Sequence, residues 1–133
     1  MSQSLEVRIE QVGGSTLKGI ARTHSVLIDR PVAKGGEDRG PLGGEYLLLA
    51  LGGCFMSNLL AAIRARDAAV SDVRVTVHGT TDTEPDRFTA LTLTITAVHQ
   101  DRELMQKLVT IAERSCIVTN TLRSGVSIAL IIE

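Results

Sequence analysis

The sequence predicts a single α+β domain over residues 1–133, and three observations carry that reading. A chain of 133 residues suffices for one ordinary domain and is short for two. Apolar residues recur at every second position in Leu5–Glu10, Val73–His78 and Phe88–Val98, the period of a half-buried strand. They recur with helical spacing in Glu45–Arg66 and Asp101–Ser115, and these helices lie too far apart for a run of regular parallel crossovers.

Taken in order, Leu5, Val7 and Ile9 alternate with Glu6, Arg8 and Glu10 in a first, half-buried strand, and Gly13-Gly14 supplies a hairpin turn. Leu17–Arg22 and His24–Asp29 form one long bent strand or two short ones, ended by Pro31, which has no N–H for a ladder. Pro31–Gly44 carries two prolines and five glycines, Gly35, Gly36, Gly40, Gly43 and Gly44, and is expected to be a mobile or site-lining loop. Glu45–Arg66 is a helix with acid at its start and Arg64 and Arg66 at its end, as the macrodipole favours. Its apolar residues cover nearly the whole circumference, so it needs cover on every side, from a wrapped sheet or a second copy. Val73–His78 and Phe88–Val98 pair as antiparallel strands across the polar loop Thr80–Arg87. A second helix over Asp101–Ser115 precedes Cys116, a short turn spans Ile117–Arg123, and Val126–Ile132 reads as a final buried strand.

Composition excludes several functions. Fourteen basic against fifteen acidic residues leave a net charge of -1, so no bulk field draws in nucleic acid or an anionic membrane. With Tyr46, Phe55 and Phe88 as the aromatics, base stacking and sugar platforms lack their materials. The apolar run Tyr46–Ile63 nears membrane-spanning length, but Gly52, Gly53, Ser57 and Asn58 within it favour a buried core helix. The first residues lack a basic start followed by an apolar stretch, so the expected compartment is the cytosol. The glycine-rich loop lacks a Gly-Lys-Ser/Thr ending, no nucleophile elbow occurs, and His24, His78 and His99 show no ligand spacing; neither cofactor nor metal is expected, and His78 and His99 read as surface residues on strand faces.

The two cysteines remain. Cys54 follows Gly52-Gly53 inside the most apolar helix, where each glycine costs ~1 kcal/mol relative to alanine. Small residues there let a backbone, a partner or a substrate approach the sulfur. Cys116 lies where one helix ends and a turn begins, beside Arg114 and before Thr119, Asn120 and Thr121; N–H groups at such a start favour a thiolate. In a reducing compartment the pair are either inert core thiols or redox-active, and the 62-position separation allows a reversible disulfide if the fold juxtaposes them.

Gly35-Gly36-Glu37-Asp38-Arg39-Gly40-Pro41, then Glu45–Phe55 with Leu-Gly-Gly-Cys54, then Ala112-Glu-Arg-Ser-Cys116 with Thr119 and Leu122, together with Arg87-Phe88-Thr89, resemble the osmotically inducible protein C and organic hydroperoxide resistance (OsmC/Ohr) family. The resemblance runs from about His24 to the C-terminus, and His24–Pro31 is similar to the OsmC-like branch. It implies an OsmC-like fold, with antiparallel sheets wrapped around a central buried helix in an intertwined homodimer. It further implies a thiol-dependent peroxidase in oxidative or osmotic stress defence. Cys54 would attack an organic hydroperoxide, Cys116 would resolve the sulfenic acid to a disulfide, and a dithiol reductant would restore the pair. Leu51, Phe55 and Met56 would suit an apolar substrate tail. The organic hydroperoxide branch places an Arg after a Gly-Gly turn and a Glu ten residues before the first Cys; here Ser15 and Gly44 occupy those positions. A cation beside a thiol raises its thiolate fraction, so Arg39, Arg22 and Lys18 are the candidate replacements, and Glu45 the candidate orienting carboxylate or a helix cap. The alternative is a non-catalytic small-molecule or acyl-chain binding protein on the same scaffold.

Overall fold

The computed structural model describes residues 2–133; Met1, the first residue of the segment read above for a leader, lies outside them. The chain divides into two compact units, one up to Leu47 and the other Leu48–Glu133.

The first unit is a three-stranded antiparallel sheet of β1 (Arg8–Gln11), β2 (Leu17–Ala21) and β3 (His24–Ile28), in that order. The stretch after the first hairpin is therefore two strands, turned at Arg22, whose φ of 57° lies in the left-handed region. The expected half-burial of the first strand does not hold. Every residue of β1 is exposed, as are Leu5 and Val7 before it, because the strand pairs along one edge and nothing in its unit covers its faces. The buried residues of this unit, among those described, are polar: Thr16 and Asp29.

The loop after β3 carries local order of its own. A 3-10 turn over Val32–Lys34 and several backbone bonds order it, including Asp38 N to Arg30 O at 3.0 Å and Asp29 N to Pro41 O at 3.1 Å. Its glycines serve close approach: a Cβ at Gly36 would strike the Arg30 carbonyl, and one at Gly40 the Leu27 carbonyl.

The second unit is built on a hairpin of β4 (Ser71–Asp82) and β5 (Arg87–Val98), in register at Val75–Ile95 and Val77–Leu93. Burial alternates along both strands, with Val, Leu and Ile inward as far as Ile95 and Thr outward, while Val98 at the end of β5 is exposed. Helix α1 (Gly43–Ala65) crosses the division between the units and in the second unit packs on this sheet so closely that a Cβ at Gly52 would come within 2.8 Å of Val77 Cγ2. Its buried face is Leu51, Gly52, Phe55, Leu59, Ala62 and Ile63. It is a core helix on that side only; Leu49 and Leu60 are exposed at 59% and 45%. Helix α2 (Arg102–Ser115) is capped by Asp101, whose carboxylate accepts from Leu104 N at 3.0 Å, and closes the core with Leu108 and Ala112. The short turn expected after Cys116 is a helix of eight residues, α3 (Ile117–Ser124).

The predicted final strand is absent. Val126–Ile132 keeps its apolar alternation, yet Ile128, Leu130 and Ile132 are 85%, 94% and 98% exposed and the segment joins no sheet. A strand needs an edge to pair with, and the segment pairs with none among the described residues.

Candidate functional site

The second unit brings Cys54 and Cys116 together. Cys54 lies on α1 between the buried Leu51 and Phe55 and is half-buried; Cys116, between α2 and α3, is wholly buried in the same apolar cluster. Both are free thiols. Leu51 and Phe55, offered by the sequence as pocket walls, are each 4% exposed and serve as packing.

Cys116 ends α2 and begins α3. Its N–H donates to Glu113 O at 3.2 Å and its carbonyl accepts from Asn120 N at 3.0 Å. Its Sγ occupies the place an N-cap oxygen usually fills, accepting from Thr119 N at 3.5 Å. Burial alone pushes this thiol up. Bonds from the Thr119 hydroxyl and N–H, from the Cys54 thiol and from Val118 N–H outweigh that and hold it below the usual thiol value. The groups that lower it are hydrogen-bond donors, not a guanidinium. The Cys54 sulfur also accepts a long contact from Asn58 Nδ2 at 3.9 Å. The arrangement favours a negative charge on the buried Cys116 sulfur, with the half-buried Cys54 thiol near it.

The remaining sequence candidates belong to the first unit. Glu45 Oε1 accepts from Leu42 N at 2.8 Å, the bond of a helix cap. Arg39 is exposed, and its N–H donates to Asp29 Oδ2 at 3.2 Å. Ser15, which stands where the resemblance expects Arg, donates to Asp29 Oδ1 at 2.8 Å. Thr16 Oγ1 donates to Oδ2 at 2.8 Å and Arg30 N to Oδ1 at 2.7 Å. Burial raises the Asp29 carboxyl, but these four donors hold it far below the ordinary carboxylate range. Sequence reasoning missed this hub. The signal available was a lone Asp before Arg-Pro with two hydroxyl residues after a Gly-Gly turn, a pattern too common to single out. Thr119, which the sequence set after Cys116 at a start whose N–H groups favour a thiolate, donates that bond, whereas His99, expected on the surface, is half-buried past the end of β5, with Nδ1 sealed from solvent and unpartnered among the described residues.

Among the described residues no cluster of three or more His, Cys, Asp or Glu could hold a metal ion.

Comparison with protein-family models gives a match over residues 35–131, to the family described as OsmC-like protein. Comparison with curated proteins gives no match. Among solved structures, the OsmC-like protein of Mycoplasma pneumoniae is similar at a TM-score of 0.77 and 18% identity, covering 92% of this chain and 89% of that one. An organic hydroperoxide resistance protein of Elizabethkingia anophelis, bound to thiocyanate, is similar at 0.67 and 19%, covering 92% and 90%. The organic hydroperoxide resistance protein OhrB of Bacillus subtilis is similar at 0.63 and 20%, covering 91% of each chain. At these identities the likeness is one of fold.

Proposed function

Since this chain belongs to the OsmC-like protein family, we propose that it reduces organic hydroperoxides through Cys54 and Cys116, as a cytosolic stress-defence enzyme. The observation that carries the reading is the thiol pair itself: a half-buried Cys54 near a wholly buried Cys116 whose charged form is favoured. The hydroperoxide resistance named for two of the similar structures supports the same reaction class.

The Cys54 thiol gives its proton to the Cys116 thiolate. The Cys54 thiolate then attacks the distal oxygen of the hydroperoxide, the O–O bond breaks, and the alkoxide leaves as the alcohol with the proton now on Cys116, so that Cys54 is oxidised to a sulfenic acid and Cys116 is again a thiolate. Cys116 attacks that sulfur, hydroxide leaves and takes a proton from solvent to become water, and a disulfide forms. A dithiol reductant returns both thiols and is itself oxidised to a disulfide. Arg39 and Glu45 stay in the proposal as the first unit's charged candidates, a cation for the thiolate and its orienting carboxylate; the cap bond leaves Glu45 one carboxylate oxygen for that task.

We also propose that the working form is a homodimer. The exposed face of α1 in the second unit presents Ala50, Gly53, Ser57 and Ala61 flanked by Leu49 and Leu60, and Val126–Ile132 holds an unpaired apolar strand sequence. Both are surfaces that a second copy would cover.

The test is consumption of cumene hydroperoxide with dithiothreitol by wild type, Cys54→Ser and Cys116→Ser. Cys54→Ser is expected to fall to the rate of dithiothreitol alone, and Cys116→Ser to lose the intramolecular disulfide. Equal rates for wild type and Cys54→Ser would remove the enzyme reading.

A further inference from the structure

The second unit contains a cavity of about 720 Å³ between the end of β5 and one face of α2, within the size range of small-molecule sites. No cysteine lines it, so it is separate from the thiol chemistry. Arg102, Met105, Gln106 and Val109 contribute to it at helical spacing, so they form a single stripe of α2, and Ile95 faces them from β5. The stripe from Arg102 to Val109 spans about 10 Å of helix. It is cationic at one end and, beside the polar Gln106 and Thr110, presents Met105 and Val109 as its apolar members.

Two features at the cationic end call for a ligand. Arg102 is the charged residue of the lining, no carboxylate lines the cavity, and among the described residues Arg102 makes no ion pair. His99 lies beside it with its unpartnered Nδ1, an exception among buried polar groups. With no bond to hold Nδ1, a turn about χ2 that presents this nitrogen to an oxygen in the cavity breaks nothing there.

We propose that this cavity binds a medium-chain carboxylate. Arg102 takes the carboxylate in charge-assisted hydrogen bonds, the His99 ring supplies a second donor, and the alkyl chain lies along Met105, Val109 and Ile95. The proposal does not depend on the peroxidase reading, since it concerns residues that reading does not use.

The probe is octanoate, titrated into the full chain by calorimetry and by amide and imidazole NMR. Saturable binding is expected at one octanoate per chain, with shifts at His99 and along the α2 stripe. Arg102→Gln and Gln106→Glu, both changes at exposed positions, are each expected to weaken it about tenfold or more, one by removing the cation and the other by adding a like charge. Octanol, which has the chain and no charge, should bind wild type and Arg102→Gln alike, and Cys54→Ser should bind octanoate as wild type does. Absence of saturable binding, equal octanoate affinity in wild type and both α2 variants, or loss of binding in Cys54→Ser would overturn the proposal.

Discussion

Gly52 and Gly53 are adjacent in α1 but meet opposite surroundings, and alanine at each separates two forces that sequence alone confounds. A Cβ at Gly52 would stand 2.8 Å from Val77 Cγ2, whereas one at Gly53 would meet nothing within 4 Å in this chain. Alanine gains about 1 kcal/mol over glycine in a helix interior at either position. At Gly52 that gain is opposed by overpacking of ~1–3 kcal/mol, because Val77 is β-branched and stiff at χ1, which leaves the helix to lift off the sheet. Gly52→Ala should therefore be about 1 kcal/mol less stable than wild type, and the isolated chain of Gly53→Ala about 1 kcal/mol more stable. Urea unfolding at one protein concentration gives both numbers, and sedimentation velocity adds a second readout. If a second copy seats its helix on the face bearing Ala50, Gly53, Ser57 and Ala61, Gly53→Ala shifts the protein toward monomer while Gly52→Ala does not. A Gly52→Ala protein stabilised by the full helix gain, with the slope of unfolding unchanged, would refute the close packing of α1 on β4.

Two further outcomes follow from the hydrogen-bonded groups. Thr119→Val removes the hydroxyl donor to Cys116 while keeping its N–H, so the buried thiol should titrate at higher pH, read by thiolate absorbance near 240 nm in a Cys54→Ser background; an unmoved titration would detach Thr119 from that sulfur. Asp29 holds its proton more weakly folded than unfolded, so its contribution to stability is complete above the ordinary carboxylate range and drains away progressively as pH falls below about 5. Asp29→Asn should lower the urea midpoint at neutral pH and flatten that acid-side loss; an equally steep decline would show that other carboxylates carry it.

The second unit was legible where the pattern that a strand or helix needs is local. Val73, Val75 and Val77 alternate with polar residues in the sequence and alternate in burial on β4, since a sheet with one covered face asks for nothing more. Leu104, Leu108 and Ala112 likewise mark the inner face of α2. The loop after β3 was not legible, because Gly36 and Gly40 answer to the carbonyls of Arg30 and Leu27, which fold back onto them from outside any local window. The all-round apolar character of α1 announced a demand for cover, but not which half its own chain would meet. Val126–Ile132 carries strand propensity in full and still forms no strand, since propensity without a partner edge leaves every ladder bond unmade.

The sequence singled out Cys54 and Cys116 as the candidate thiols, but not how their surroundings differ. The two thiols differ in surroundings: Cys54 is half-buried, while Cys116, with 0% exposure, has the environment that favours charge. On the proposed reading, a proton passed from Cys54 to Cys116 would put the charge on Cys54. Cys116→Ser then becomes a discriminating change. A serine hydroxyl caps α3 at least as well as sulfur does, so the fold is kept, but it cannot take the proton as a thiolate can. If Cys116 only resolves, the first turnover to sulfenic acid on Cys54 proceeds in Cys116→Ser at the wild-type rate. If it is also the base, that first step slows as well, and a rapid-mixing measurement of sulfenic acid formation tells the two roles apart.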